Sequence, residues 1–138
     1  DEAVVTAWLA VGKQLAVVSH ESALDLLGLS DVIPDSVHLT VPRSRRNSPK
    51  IPGVKVHTTT RPIQRSETVI RRGLRLTSAS RTILDAAAAG TAPEQIEMAI
   101  VQATERGLVM PEDLERQAHV RGRRVANLIH DALDKTSG

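Results

Sequence analysis

The sequence has 138 residues, and its 18 basic side chains against 16 acidic ones give a formal net charge of +2. That length suits one domain over residues 1–138, with enough chain to bury a core. The absence of cysteine excludes a disulfide scaffold, a thiolate metal site and a cysteine nucleophile. The single aromatic residue, Trp8, argues against a protein that stacks single-stranded bases.

No stretch is apolar enough to span a bilayer, so we expect no membrane partner and a cytoplasmic location. The chain starts at Asp1, and we expect it to be a piece of a longer protein.

Charge is strongly segregated along the chain. Residues 1–42 hold one base and six acids, residues 43–75 hold ten bases and only the acid Glu67, and residues 76–138 hold seven bases and nine acids. The central basic block favours contact with phosphates or with an acidic partner surface. A solvated arginine-rich face that keeps sheet edges apart is the alternative, and the sequence leaves it open.

Hydrophobic spacing predicts an α+β domain with two N-terminal helices, a small, mostly antiparallel sheet of about four strands, and three to four C-terminal helices. The first helix carries an apolar face that includes Trp8 and Leu15, and Ser19 stands where the second helix needs an N-cap. Residues 43–53 show no hydrophobic periodicity and are predicted to form an exposed loop. The predicted strands are 37–41, 54–56, 68–71 and 74–76, with a tight turn at Arg72-Gly73.

Helical periodicity resumes at Ser78 and continues to the end of the chain. Ser78 or Ser80 is predicted to cap the third helix, and Thr91 and Glu94 have the spacing of a capping box for the fourth. Pro111 is predicted to open another helix, and Gly122 to separate it from the last one.

The residue pattern argues against an enzyme. Ser19-His20-Glu21 has the residue types of a hydrolytic triad, but adjacent residues do not converge as a triad requires, so we assign Ser19 and His20 structural roles at the helix start. A nuclease-type metal site following Asp35 would need a second acid and a lysine on the next strand, and that strand reads Val54-Lys55-Val56. We therefore expect no catalytic residues.

The five histidines lack the i, i+4 spacing of a zinc-binding helix, so we expect them to be surface residues with ordinary partners. His38 and His57 lie on alternating strands, which allows them to be neighbours on one sheet face. The sequence predicts no metal and no cofactor.

The densest unpaired bases are the candidate surface for nucleic-acid or partner contact. No helix pair has an obviously basic second helix, so contact through these bases is expected to be electrostatic rather than base-reading. They are Arg43, Arg45, Arg46, Lys50, Arg71 and Arg72.

A series of short motifs resembles a known family. The motifs are Ser19-His20-Glu21-Ser22-Ala23-Leu24, Leu27-Gly28-Leu29-Ser30-Asp31, Val37-His38-Leu39-Thr40-Val41-Pro42, Pro52-Gly53-Val54-Lys55-Val56-His57, Gly73-Leu74-Arg75-Leu76-Thr77-Ser78 and Arg81-Thr82-Ile83-Leu84-Asp85. Their order and spacing over residues 3–135 resemble the C-terminal domain of the AbiEi-like antitoxins and transcriptional regulators of bacterial type IV toxin–antitoxin systems.

The resemblance implies an antitoxin domain that counteracts a nucleotidyltransferase-like toxin, with or without direct contact. It also implies that the full-length protein binds operator DNA through an N-terminal winged helix-turn-helix outside these residues. No catalytic residues carry over. Arg81 and Asp85, four apart on one helical face, are given a structural role as an ion pair or as an anchor of the helix on the sheet. The alternative is an oligomerisation or sensor domain of a transcription factor without a toxin partner, and self-association is left open. A neighbouring nucleotidyltransferase gene would favour the antitoxin.

Overall fold

The fold is α+β, with a mixed sheet and helices before and after it. The computed structural model describes residues 1–48 and 50–137, the last of these by its backbone alone. Within that part of the chain the strands are β1 (Val17–Val18), β2 (Val37–Pro42), β3 (Val54–Thr59), β4 (Thr68–Arg71) and β5 (Leu74–Thr77). The helices are α1 (Glu2–Val11), α2 (His20–Leu26), α3 (Ala79–Ala89), α4 (Pro93–Glu105), α5 (Pro111–His119) and α6 (Arg123–Ser137). Short 3₁₀ turns occupy Arg43–Arg45 and Arg65–Glu67.

The sheet has five strands in the order β3-β2-β1-β5-β4. Pairs β1–β2 and β4–β5 are antiparallel, whereas β2–β3 and β1–β5 are parallel. The predicted two N-terminal helices and three to four C-terminal helices agree with the structure, and five strands are close to the predicted four. The prediction of mostly antiparallel pairing is wrong, because half of the strand pairs are parallel. Strand β1 has only two residues, too few to show alternation, yet it joins the two halves of the sheet. Segment 43–53, predicted as a loop, is the crossover that makes β2 and β3 parallel; its Pro49 lies outside the described residues.

The core is one continuous apolar cluster between the sheet and the helices. Leu24 of α2, Leu39 of β2, Leu76 of β5, Ile83 of α3 and Ile100 of α4 are all fully buried in it. Burying each such side chain contributes about 1.5–3 kcal/mol relative to leaving it exposed. The core therefore fixes the relative positions of α2, α3 and the sheet, the elements that carry the motif residues.

Several predicted boundaries change where backbone geometry overrides periodicity. Helix α1 ends at Val11 because Gly12 turns to φ 127°, so Leu15 lies beyond the helix and is 41% exposed. Pro93 takes the first position of α4 and makes Ala92 its N-cap. The predicted capping box is therefore wrong, and the Thr91 hydroxyl donates to Glu21 Oε2 at 2.9 Å instead.

Other local predictions are confirmed. The Ser78 side chain accepts from the Arg81 backbone N–H at the start of α3. The β4–β5 turn uses Gly73 at φ 81°, a conformation that most residues adopt only under strain. Among the described residues, no helix is both long and apolar enough to cross a bilayer.

Candidate functional site

Three histidines from three separate elements form one cluster. His20 opens α2, His38 lies on β2 and His57 lies on β3. Thr40 is the register partner of His57, and His38 shares the sheet face of Thr40 because it lies two residues away. His38 Nδ1 and His57 Nε2 are 2.9 Å apart, within hydrogen-bond distance. The His20 ring stacks on that of His57, with centroids 3.6 Å apart and planes inclined by 15°.

Main-chain and hydroxyl hydrogen bonds hold the start of α2 against β2. The Ser19 backbone N–H donates to the His38 carbonyl at 3.0 Å, and the His38 N–H donates to Ser22 Oγ at 2.8 Å. The buried Ser19 hydroxyl is 2.7 Å from both His20 Nδ1 and Thr40 Oγ1. Ser19 does occupy the N-cap position, but its side chain makes no capping hydrogen bond. The predicted capping role is wrong because this hydroxyl positions the His20 ring instead.

The backbone of His20 has φ 55°, in the left-handed region that non-glycine residues adopt infrequently. Such conformations persist only where surrounding contacts impose them, and they concentrate at binding and catalytic sites. Here the conformation turns the chain out of β1 and directs the first side chain of α2 towards the histidines of β2 and β3.

Burial makes the cluster electrically neutral near pH 7. Burial, with the neighbouring His57 and His38, lowers the pKa of His20 from 6.5 to about 3. Burial likewise lowers the pKa of His38 and that of His57, the latter further through His38. His20 and His38 are each only 8% exposed. The prediction that all the histidines are surface residues is therefore wrong for this cluster, whereas His119 and His130 are exposed.

A second group of polar side chains faces the histidines from α3 and its neighbours. The buried Asp85 carboxylate accepts from Arg81 Nε at 3.1 Å and from Arg121 Nη2 at 2.8 Å. Arg81 Nη1 also donates to Glu67 Oε2 at 3.1 Å. The predicted Arg81–Asp85 pair is confirmed, and the structure extends it to a four-residue network. Burial alone would lower the pKa of Arg81, but the carboxylates of Asp85 and Glu67 outweigh it and raise that pKa. Burial alone would raise the pKa of Glu67, but the Gln64 backbone N–H and the Arg81 guanidinium outweigh it and lower that pKa.

Members of both groups line one cleft of about 800 Å³. Its walls include His20, His57 and the neighbouring Thr40, together with Arg81, Asp85 and Arg121 of the second group. Neutral imidazoles offer nitrogen lone pairs to a metal ion, and guanidinium groups donate hydrogen bonds to anionic oxygens. The cleft thus combines two kinds of ligand-binding group within a single concave surface.

The predicted basic contact residues lie outside the cleft. All six are exposed, and none of them forms an ion pair within the described ranges. They are Arg43, Arg45, Arg46, Lys50, Arg71 and Arg72. The strand register places the end of β2 and the β4–β5 turn at the same end of the sheet, about 14 Å apart at three strand spacings. The 3₁₀ turn of Arg43–Arg45 also contacts β3, which carries His57. Five of the six bases therefore share one end of the sheet, whereas Lys50 lies just before β3, near the opposite end. Of these bases, those of the 3₁₀ turn adjoin the strand that lines the cleft.

Sequence reasoning missed part of the site. The strand alternation indicated the proximity of His38 and His57, which is confirmed, but no periodic signal connected them with His20. Glu67 stood out only as the lone acid of the basic block, and Arg121 only as part of a basic cluster near a helix break. Asp35, considered for a nuclease site, is exposed and does not line the cleft.

No family model matches the chain, and no curated protein matches it.

Proposed function

We propose that this chain is the antitoxin and regulatory domain of a type IV toxin–antitoxin system. It counteracts a nucleotidyltransferase-like toxin without catalysing a reaction itself, and the full-length protein binds operator DNA. One observation carries the proposal: polar residues of the motifs that resemble AbiEi-like domains meet at one cleft, although they are spread over residues 20–85.

This convergence goes beyond what packing alone requires. Apolar motif residues such as Leu24 and Ile83 enter the core, as in any fold. The polar members of the same motifs, including His20, His57 and Asp85, line the cleft and hold one another through hydrogen bonds and ring contacts. Burying polar groups is unfavourable unless they are paired, so a domain that needed only stability would gain more from apolar side chains at these positions.

The exposed bases supply the second element of the proposal. Five of them lie between the end of β2 and the β4–β5 turn, and Lys50 lies just before β3. None has a paired acid among the described residues, so their field reaches solvent uncompensated. An acidic surface of the toxin, or a nucleic acid that the toxin acts on, has the complementary charge. Electrostatic contact of this kind accelerates association more than it strengthens the final complex.

A growth-rescue assay tests the proposal. The 138-residue chain is co-expressed with the nucleotidyltransferase-like toxin encoded beside it, and growth is compared with that of cells carrying toxin alone. We expect rescue by the native chain, and weaker rescue by the double charge reversal Arg45→Glu/Arg46→Glu and by the cleft variant His57→Ala.

The matched control reverses two bases on the C-terminal helices, Arg116→Glu/Arg123→Glu, and is expected to rescue like the native chain. Immunoblotting of every variant separates lost function from lost protein. Failure of both the native chain and the full-length protein to rescue would refute the antitoxin assignment. Equal rescue by all variants would show that neither the basic surface nor the cleft takes part.

A further inference from the structure

We propose that His20, His38 and His57 form a binding site for a divalent transition metal, with Zn²⁺ as the best-suited ion. One ring nitrogen from each histidine lies within 4.8 Å of those of the other two. The inference does not rest on the antitoxin assignment, since it follows from the local geometry of the three side chains.

The spacing of the nitrogens is close to that of a metal site. Zinc–imidazole bonds are about 2.0–2.1 Å long, so two ligand nitrogens in a tetrahedral site are separated by about 3.4 Å. His38 Nδ1 and His57 Nε2 are 2.9 Å apart, and one nitrogen of each of the three rings lies within 4.8 Å of the other two. Adjustments of about 1–2 Å through rotation of the side-chain torsions are enough to direct all three nitrogens at one ion.

The donor set selects the class of metal. Three imidazoles suit zinc, copper and nickel, whereas magnesium and calcium prefer oxygen ligands. The nearest buried carboxylate, Asp85, is already held by Arg81 and Arg121. Three protein ligands leave the fourth tetrahedral position to water or to a bound molecule. His20 and His57 both line the cleft, so that position is reached from it.

Neighbouring hydroxyls orient the ligands. Ser19 Oγ lies 2.7 Å from His20 Nδ1 and 2.7 Å from Thr40 Oγ1, so the second nitrogen of the His20 ring is held while Nε2 remains available. Hydrogen bonds of this kind fix the tautomer and orientation of metal-binding histidines. Binding through His38 Nδ1 and His57 Nε2 replaces their mutual hydrogen bond, and the proton between them moves to the other nitrogen of the ring that carried it.

Metal titration of chelator-treated protein tests the site. We expect isothermal titration with Zn²⁺ to show one ion per chain, and Co²⁺ to give the visible absorption of a tetrahedral site. His57→Ala should weaken binding at least a hundredfold, and the supporting variant Ser19→Ala about tenfold. The matched control, His119→Ala/His130→Ala, removes the two exposed histidines and should bind like the native chain.

Three results would overturn the proposal: no zinc binding by the native chain, loss of binding only in the His119→Ala/His130→Ala control, or unchanged binding in His57→Ala. If His57→Ala does not fold, histidine ring resonances of the native chain decide instead. Zinc should shift those of His20, His38 and His57 and leave those of His119 and His130 in place. The reverse pattern would assign binding to the surface. Neither outcome bears on growth rescue, so the two proposals fail separately.

Discussion

Acidification should destabilise the metal-free domain well above the pH at which carboxylates titrate. The pKa of His20 is lowered from 6.5 to about 3 in the folded chain, mainly by burial. Below pH 6.5 the His20 ring therefore binds a proton in the unfolded chain but stays neutral in the folded chain. The contribution of His20 to the free energy of unfolding is fully present above pH 6.5 and is lost as the pH falls towards 3.

The size of the effect follows from the same shift. Each pH unit between the two pKa values changes the free energy of unfolding by about 1.36 kcal/mol per proton. Between pH 7 and pH 5, His20 alone accounts for a loss of about 2 kcal/mol. His38 and His57, whose pKa values are also lowered by burial, act in the same direction. For a domain stable by about 5–15 kcal/mol, that is a large fraction.

Urea unfolding at half-unit steps from pH 7.5 to 5, with a chelator present, measures this loss. The variant His20→Asn keeps a residue that tolerates φ 55° but has no titrating ring, so its stability should fall less steeply with pH than that of the native chain. The control His119→Asn replaces an exposed histidine, and its free energy of unfolding should change with pH as that of the native chain does. A free energy of unfolding that stays constant down to pH 5, or an equally steep decrease in His20→Asn, would show that the His20 ring is not held neutral by burial.

Three substitutions and one control, Asp113→Asn, test the packing and polar contacts of the domain, each by urea or thermal unfolding at pH 7. Asp85→Asn should cost about 2–4 kcal/mol because it leaves two partly buried arginines poorly paired. Asp113→Asn, in an exposed ion pair, should cost less than about 1 kcal/mol, and equal losses would contradict a special role for the buried network. Arg106→Ala removes donors to two main-chain carbonyls at the end of α2 and should cost about 1 kcal/mol; no loss would show that these bonds are not formed in solution. Ile100→Ala should cost about 2–5 kcal/mol, and a smaller loss would mean that the core at α4 is looser than described.

Much of the fold could be predicted because local signals dominate it. The apolar face of α4, the cap at Ser78 and the turn at Gly73 follow from spacing and backbone preference within a few residues. The sheet topology could not be predicted in this way. Strand β1 has only two residues, and its neighbours β2 and β5 are set by contacts between distant parts of the chain.

The candidate site shows the same division between local and long-range information. Arg81 and Asp85 pair within one helix, so their spacing predicted the contact. The positive φ of His20 and the packing of α2 against β2 bring it to the other histidines, and no local pattern encodes that approach. The exposure of the basic residues followed from their charge, whereas the placement of five of them at one end of the sheet and of Lys50 near the other depends on the strand order and pairing.

The clustering of His20, His38 and His57 beside the cleft, which His20 and His57 line, is the geometry on which both proposals depend. Nuclear Overhauser effects between the ring protons of these histidines measure it directly in solution. With ring centroids 3.6 Å apart, His20 and His57 should give strong effects, and the three rings should titrate below the pH range of exposed histidines. Absence of ring-to-ring effects, together with ordinary titration near pH 6.5, would contradict the account.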